Sequence, residues 1–441
     1  MRIELQGSLL SFTLLLGGLA CSAEGAAGGG DSPFGAAPAR VGKADTDYQN
    51  PDGTEVEVDV EGDIEAPASR RAGGPAQIAQ YAMTYLRERG EFYLESLAED
   101  VSSKDRVEWL VGGEWIPAAE SENLDPDDLV HFRIRGVNAV LLTGASVDAK
   151  PGNVVTATVP LRPFSVMDEA GDACATPDGH LDLSQSIYWY LWNPERAGCQ
   201  IETQELQITI ARAFPQRETY PEYDRLVEDG KITVVILYGQ IGDGPIDEFE
   251  TGVRNMKRMG QWLLDDGFKE VAAPIGRRFG KRIAGTVVEM DLYSPNDFAG
   301  LGDHGNFGNL QRAISEHEIV VYDGHSMLGA SDFWSRPEYP DDYQIFIYGG
   351  CLGYEYYVRP ILEGKGGWEN LDLVSSVIEV TASANEIAGP FLAQLMWSLE
   401  NDYRASWRDL LIAIREGVGD STFGASGVEE NCFGPDGTLC P

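Results

Sequence analysis

Positive charge is scarce in this chain. Lys and Arg number 33 against 71 Asp and Glu, a formal net charge of −38. Phosphates and anionic lipid surfaces would be repelled rather than neutralised, which argues against nucleic-acid partners and electrostatic membrane docking. Histidine is scarce too, at five. No His-Glu-x-x-His and no Cys-x-x-Cys spacing occurs, so neither a metal nor a cofactor is expected. The apolar stretch from Leu9 to Leu19 is too short to span a bilayer as a stable helix, and no internal repeat is visible. What the chain does have is core material. With 441 residues, 43% of them hydrophobic and 10% aromatic, it can bury at least one core and more naturally two.

The N-terminus reads as an export signal, with Arg2, the Leu9–Leu19 stretch and small residues before Cys21. Gly18-Leu19-Ala20-Cys21 resembles the lipobox of bacterial lipoproteins, in which the cysteine becomes the lipidated N-terminus. That motif usually has leucine where Gly18 stands, and an ordinary cleaved secretory signal is the alternative. Either reading sends the protein to the bacterial cell envelope or the extracellular space, and a lipid anchor would be its only membrane contact.

Export changes how the six cysteines are counted. An oxidising compartment favours pairing of neighbours, so Cys174 with Cys199 and Cys432 with Cys440 are the simplest disulfides. Cys21 is lost to lipidation or cleavage. Cys351 falls outside both pairs, at the end of an apolar run. A buried inert thiol is the commoner fate of such a cysteine.

The pattern divides the chain into a signal at 1–21, a flexible Gly/Ala/acidic linker at 22–76, a β-rich domain at 77–218, an α/β domain at 219–425 and a disulfide-closed tail at 426–441. A helical stretch from Gln77 to Leu97 precedes runs such as Val154-Val-Thr-Ala-Thr-Val, whose period-2 alternation between turn signals suggests a sandwich-like domain. After Glu218 the rhythm becomes strand, helix, strand, helix. Ile232–Tyr238, Ile283–Leu292, Glu318–Tyr322, Tyr343–Tyr348 and Val374–Ala382 read as strands, and Val253, Met256, Met259 and Trp262 mark one of the helices. Near-continuous apolar strands alternating with helices imply a mostly parallel sheet covered on both faces.

Two of those strands end on residues capable of chemistry. Glu318-Ile-Val-Val-Tyr-Asp-Gly stops at His325, and Tyr343-Gln-Ile-Phe-Ile-Tyr-Gly-Gly stops at Cys351. Ligands of open α/β sheets bind beyond the carboxyl ends of the strands. Asp323 between them reads as a turn former. Tyr322-Asp-Gly-His-Ser and Ile345-Phe-Ile-Tyr-Gly-Gly-Cys-Leu-Gly are similar to the histidine and nucleophile blocks of clan CD cysteine peptidases of the gingipain and clostripain type, and the likeness runs from Lys231 to Gly417. The resemblance implies a caspase-like fold for 219–425 and a cysteine endopeptidase acting on polypeptides. Cys351 would be the nucleophile and His325 the general acid and base. Backbone N–H groups of Ser326 and Cys351 would form the oxyanion hole, and Gly324, Gly349 and Gly350 would support the turns. It also places a specificity pocket near Ser383 and Glu386. Ser326 stands where the family usually has glycine, which keeps a catalytically inactive surface protein of the same fold as an alternative function.

Gly324-His-Ser-Met also resembles the Gly-x-Ser-x-Gly elbow of serine hydrolases, with Ser326 as nucleophile. Leu328 replaces the closing glycine, and that fold needs a histidine downstream of the serine. None follows His325. His304 and His317 read as a loop histidine and a solvated one.

Overall fold

The computed structural model of the chain describes residues 48–94, 106–121, 123–177, 182–241, 244–298, 306–325, 332–351, 353–376, 387–419 and 423–440. Alternating valines and β-branched residues build a first, antiparallel sheet from β1 (Gly53–Asp63), β2 (Phe92–Leu94), β3 (Val107–Val111), β4 (Glu114–Pro117), β5 (His131–Leu142), β6 (Val154–Pro160) and β7 (Thr203–Phe214). Their order is β4-β3-β5-β1-β7-β6, with β2 also on β5. Val56, Val58 and Val60 of β1 and Leu206, Ile208 and Ile210 of β7 are fully buried on one face. The helix Gly74–Arg87 covers that face with Ile78, Met83 and Leu86, joined by Tyr188, Trp189 and Trp192. Burial of each large side chain there is worth about 1.5–3 kcal/mol.

Three expectations change here. The acidic tract of the expected linker is β1, a central strand, because its valines alternate with acids and a period-2 pattern outweighs average composition. Its carboxylates are accommodated on the other face: Glu55 accepts from the Tyr48 N–H at 2.9 Å, and Glu57 lies 3.7 Å from Arg212. The expected helix from Gln77 to Leu97 starts at Gly74 and stops at Arg87, and Gly90 at φ +65 turns the chain into β2. Finally, the domain is one sheet with a helical layer rather than a sandwich of two sheets.

The second sheet comprises β8 (Lys231–Tyr238), β9 (Lys269–Val271), β10 (Arg277–Ile283), β11 (Thr286–Tyr293), β12 (Ile319–Asp323), β13 (Gln344–Tyr348), β14 (Leu371–Ser375) and β15 (Gly424–Ser426). The order is β15-β14-β13-β12-β8-β11-β10-β9. Strands β14, β13, β12, β8 and β11 run parallel, and β15, β10 and β9 close the edges antiparallel. The expected strand Ile283–Leu292 is a hairpin, because Ala284 and Gly285 adopt positive φ between β10 and β11. The last parallel strand begins at Leu371 rather than Val374. Apolar residues of the parallel strands alternate between two cores. Val234, Ile236 and Val321 face the helices Thr251–Asp265, Ala388–Glu400 and Trp407–Val418, while Val235, Leu237 and Val320 face Phe307–Glu316 and Val358–Lys365. This is an α/β sheet wound on both sides, and among its parallel strands the chain order reads 2-1-3-4-5, which puts the topological switch between β8 and β12.

Both expected disulfides are present, Cys174 with Cys199 and Cys432 with Cys440, at Cα separations of 4.7 and 4.8 Å. Among the described residues no helix is long and apolar enough to cross a membrane. The C-terminal tail is bound into the second sheet rather than separate from it. Glu222 accepts from the N–H groups of Cys432 and Phe433 at 2.7 and 2.9 Å. Asn431 donates at 2.7 Å to Asp372, a fully buried carboxyl of β14 that also accepts from the Tyr343 hydroxyl at 2.5 Å and Trp407 Nε1 at 3.0 Å.

Burial pushes the Asp372 carboxyl up to about 7, against the pull of its three donors. The folded state therefore holds a proton that the unfolded chain releases near its ordinary value of 3.8. Stability is fully present below that value and falls as pH rises through 7, by on the order of 1–3 kcal/mol. Asp372→Asn should remove this slope: its carbonyl keeps the three donors, and its amide takes the place of Oδ1, which has no hydrogen-bond partner. Urea unfolding of both proteins at pH 5 and pH 8 measures the difference, and parallel profiles would disprove the assignment.

Candidate functional site

Each central parallel strand carries a tyrosine at or next to its end with glycine one or two residues on: Tyr238-Gly239 on β8, Tyr322-Asp323-Gly324 on β12, and Tyr348-Gly349-Gly350 on β13. Register pairs Tyr322 with Tyr348 and Asp323 with Tyr238. The ladder is extended by Gly349 N–H to Tyr322 O and Gly239 N–H to Asp323 O, both at 2.8 Å. His325 and Cys351 each follow three residues after these paired tyrosines, just beyond the ends of two adjacent parallel strands.

The glycines matter here through space. None of Gly239, Gly324, Gly349 and Gly350 lies in the left-handed region, and the chain bends at Gly324 and Gly350. A Cβ on Gly324 would stand 2.6 Å from Gly239 Cα. One on Gly349 would stand 2.7 Å from Tyr322 O, and one on Gly350 would stand 2.6 Å from the Tyr348 ring. Backbones thus meet backbones beside the switch point, where side chains would hold them apart.

Beneath them lies an aromatic floor. Tyr322 stacks on Tyr348 at 5.3 Å and Tyr348 on Tyr357 at 4.4 Å, with Trp334 edge-on to Tyr322 and Tyr348 at 5.5 and 5.8 Å. The Tyr322 hydroxyl donates to His325 O at 2.6 Å. Burial, then the neighbouring Tyr357, Asp323 and Cys351, raise that hydroxyl well above its ordinary value, so it remains a neutral donor. Cys351 acts on the Tyr348 hydroxyl in the same direction. Tyr322 therefore holds the His325 backbone and sits within electrostatic reach of Cys351. Both His325 and Cys351 are half-buried, so neither is sealed in the core.

Asp323 departs from the turn role expected of it. It is the last residue of β12, only 6% exposed, and its charge raises the buried Tyr238 hydroxyl as well as that of Tyr322. Its burial, beside the tyrosine hydroxyls at the strand ends, is what sequence reasoning missed. The available signal was an acid at the end of an otherwise apolar strand. His317, expected in solvent, is buried, with Nδ1 at 2.8 Å from Ala313 O and Nε2 at 3.2 Å from Asp291. There it closes the end of the helix Phe307–Glu316. Cys21, His304, Ser326, Ser383 and Glu386 lie outside the described residues. Among the described residues no group of three or more His, Cys, Asp or Glu side chains stands together to hold a metal ion.

No family model matches the chain, and no curated protein or solved structure shows a significant likeness to it.

The close approach predicts opposite outcomes for two glycines. Gly324→Ala should destabilise by about 1–3 kcal/mol, since its methyl meets backbone that cannot yield. Gly308→Ala, on an open helical face with nothing within 4 Å, should be neutral or stabilising by up to about 1 kcal/mol. Urea unfolding decides, and equal effects at the two sites would refute the spatial role of Gly324.

Proposed function

We propose that the protein is an exported cysteine endopeptidase in which Cys351 is the nucleophile and His325 the general acid and base. The observation that carries the reading is that β12 and β13, the strands leading to His325 and Cys351, are adjacent and parallel with Tyr322 opposite Tyr348, beside the switch between β8 and β12. The likeness of the two sequence blocks to gingipain and clostripain-type enzymes supports it independently.

In the proposed reaction the Cys351 thiolate attacks a peptide carbonyl carbon, and the carbonyl oxygen takes the negative charge. The backbone N–H groups of Cys351 and Ser326 would receive that oxyanion, each worth on the order of a few kcal/mol. Collapse breaks the C–N bond, and His325 gives its proton to the departing amine. Water, deprotonated by His325, then hydrolyses the thioester and restores the thiol. The Tyr322 hydroxyl on His325 O limits how far the histidine can wander from this geometry. The two disulfides suit an oxidising compartment, and the Cys21 lipobox would anchor the chain to the bacterial envelope.

An acyloxymethylketone probe offered to the intact protein should label wild type and fail on Cys351→Ala. His325→Ala should lower peptide hydrolysis by about 10²- to 10⁴-fold. Labelling that persists undiminished in His325→Ala would show an exposed thiol without a catalytic partner and would favour the non-catalytic surface protein on the same fold.

A further inference from the structure

The segment that leaves Cys351 is gripped by the first sheet. Strand β1 turns its valines towards the helix Gly74–Arg87, and its opposite face is buried at the Glu55–Glu57 end, half-buried at Asp59 and exposed at Glu61. At one end of that face Tyr93 of β2 and Val140 of β5 form a small buried cluster with Tyr48, and Tyr354 packs against it. Tyr354 stands three residues beyond Cys351. Its ring meets Tyr48 edge-on at 4.9 Å, and its N–H donates to Ser376 O at 3.0 Å. Tyr48 in turn donates its hydroxyl to Ser375 O at 2.9 Å, while Glu55 of β1 holds its N–H. The space left among these groups is about 10 Å³, at or below what one ordered water needs. On the other side, a Cβ at Gly353 would meet the Tyr348 ring at 2.6 Å and Ser375 Cβ at 3.2 Å, so this turn cannot shift towards β14.

We infer that the first sheet is a positioning element for Cys351: Tyr48, Tyr93 and Val140 press Tyr354 against the end of β14 and thereby fix the turn on which the thiol is carried. The inference rests on the reading of Cys351 as nucleophile, but it is tested by thiol chemistry that does not require that reading. Tyr354→Leu, and Tyr48→Phe more mildly, should loosen the turn. Iodoacetamide alkylation of Cys351 in the folded protein should then quicken about threefold or more, while peptide hydrolysis slows by about three- to thirtyfold. Ile208→Val, a core change in the same sheet that does not reach Tyr354, serves as the control and should leave both rates unchanged at temperatures where all variants are folded. Alkylation within twofold of wild type in both tyrosine variants, or an equal response to Ile208→Val, would overturn the positioning role. If wild type hydrolyses no peptide, the peptidase reading fails while the alkylation arm still judges the positioning one.

Discussion

Backbone meeting backbone at Gly239 and Gly324 is the constraint on which the second sheet depends. Strands β8 and β12 are neighbours in a parallel ladder but diverge in connection: β8 continues to β11 on one side, and β12 to β13 on the other. At such a point the chain ends separate and a crevice opens between them. Here the separation is resisted, because neither end carries a side chain and Gly239 N–H still reaches Asp323 O. The result is a junction of main chain on main chain, with the stacked rings of Tyr322 and Tyr348 beside it.

The same economy of space links the two sheets. The segment 48–50 adds a bridge to β15 through Gln49 and Ala425, and after a turn at Pro51 and Asp52 the chain becomes β1. Gln49 Nε2 donates to Arg217 O and to Thr219 and Glu429 side chains, and Gln216 Nε2 donates to Asn50 O and Gly53 O. Side-chain amides that satisfy main-chain carbonyls in a dry junction make it directional, since each donor lost leaves a buried acceptor unpaired. A junction of this kind transmits position, where an apolar one of equal area could slide.

Much of this was legible in the sequence and some was hidden for definable reasons. The parallel strands stood out because burial on both faces removes the alternation that would otherwise blur their ends. The disulfides followed from the spacing of the cysteines once the N-terminus is read as an export signal. β1 was obscured because Glu55, Glu57, Asp59 and Glu61 give it the composition of a tether, and only the intervening valines show that one face is core. The helix Gly74–Arg87 is shorter than the apolar pattern suggests because a single glycine within 88–97, Gly90, reverses the chain by adopting positive φ. Asp323 was taken for a turn residue because aspartate before glycine is a common turn signal. Pairing with Tyr238 across the ladder overrides that local preference.

Two buried carboxyls in one sheet separate structure from chemistry. Asp372 sits near the start of β14, where Tyr343, Trp407 and Asn431 all donate to it. Those donors come from three different elements, so the acid joins the strand, the helix Trp407–Val418 and the C-terminal tail. Its favoured state is protonated, and its work is done once those groups are fixed. Asp323 sits at the opposite end of the sheet, on the last residue of β12, where its charge bears on the tyrosine hydroxyls of β8 and β12. Acids at the amino ends of parallel strands face the packing of returning helices, whereas acids at the carboxyl ends face the crevice. The Asp323 charge therefore bears on hydroxyls at the carboxyl ends of the strands, whereas Asp372 serves the packing of the opposite end.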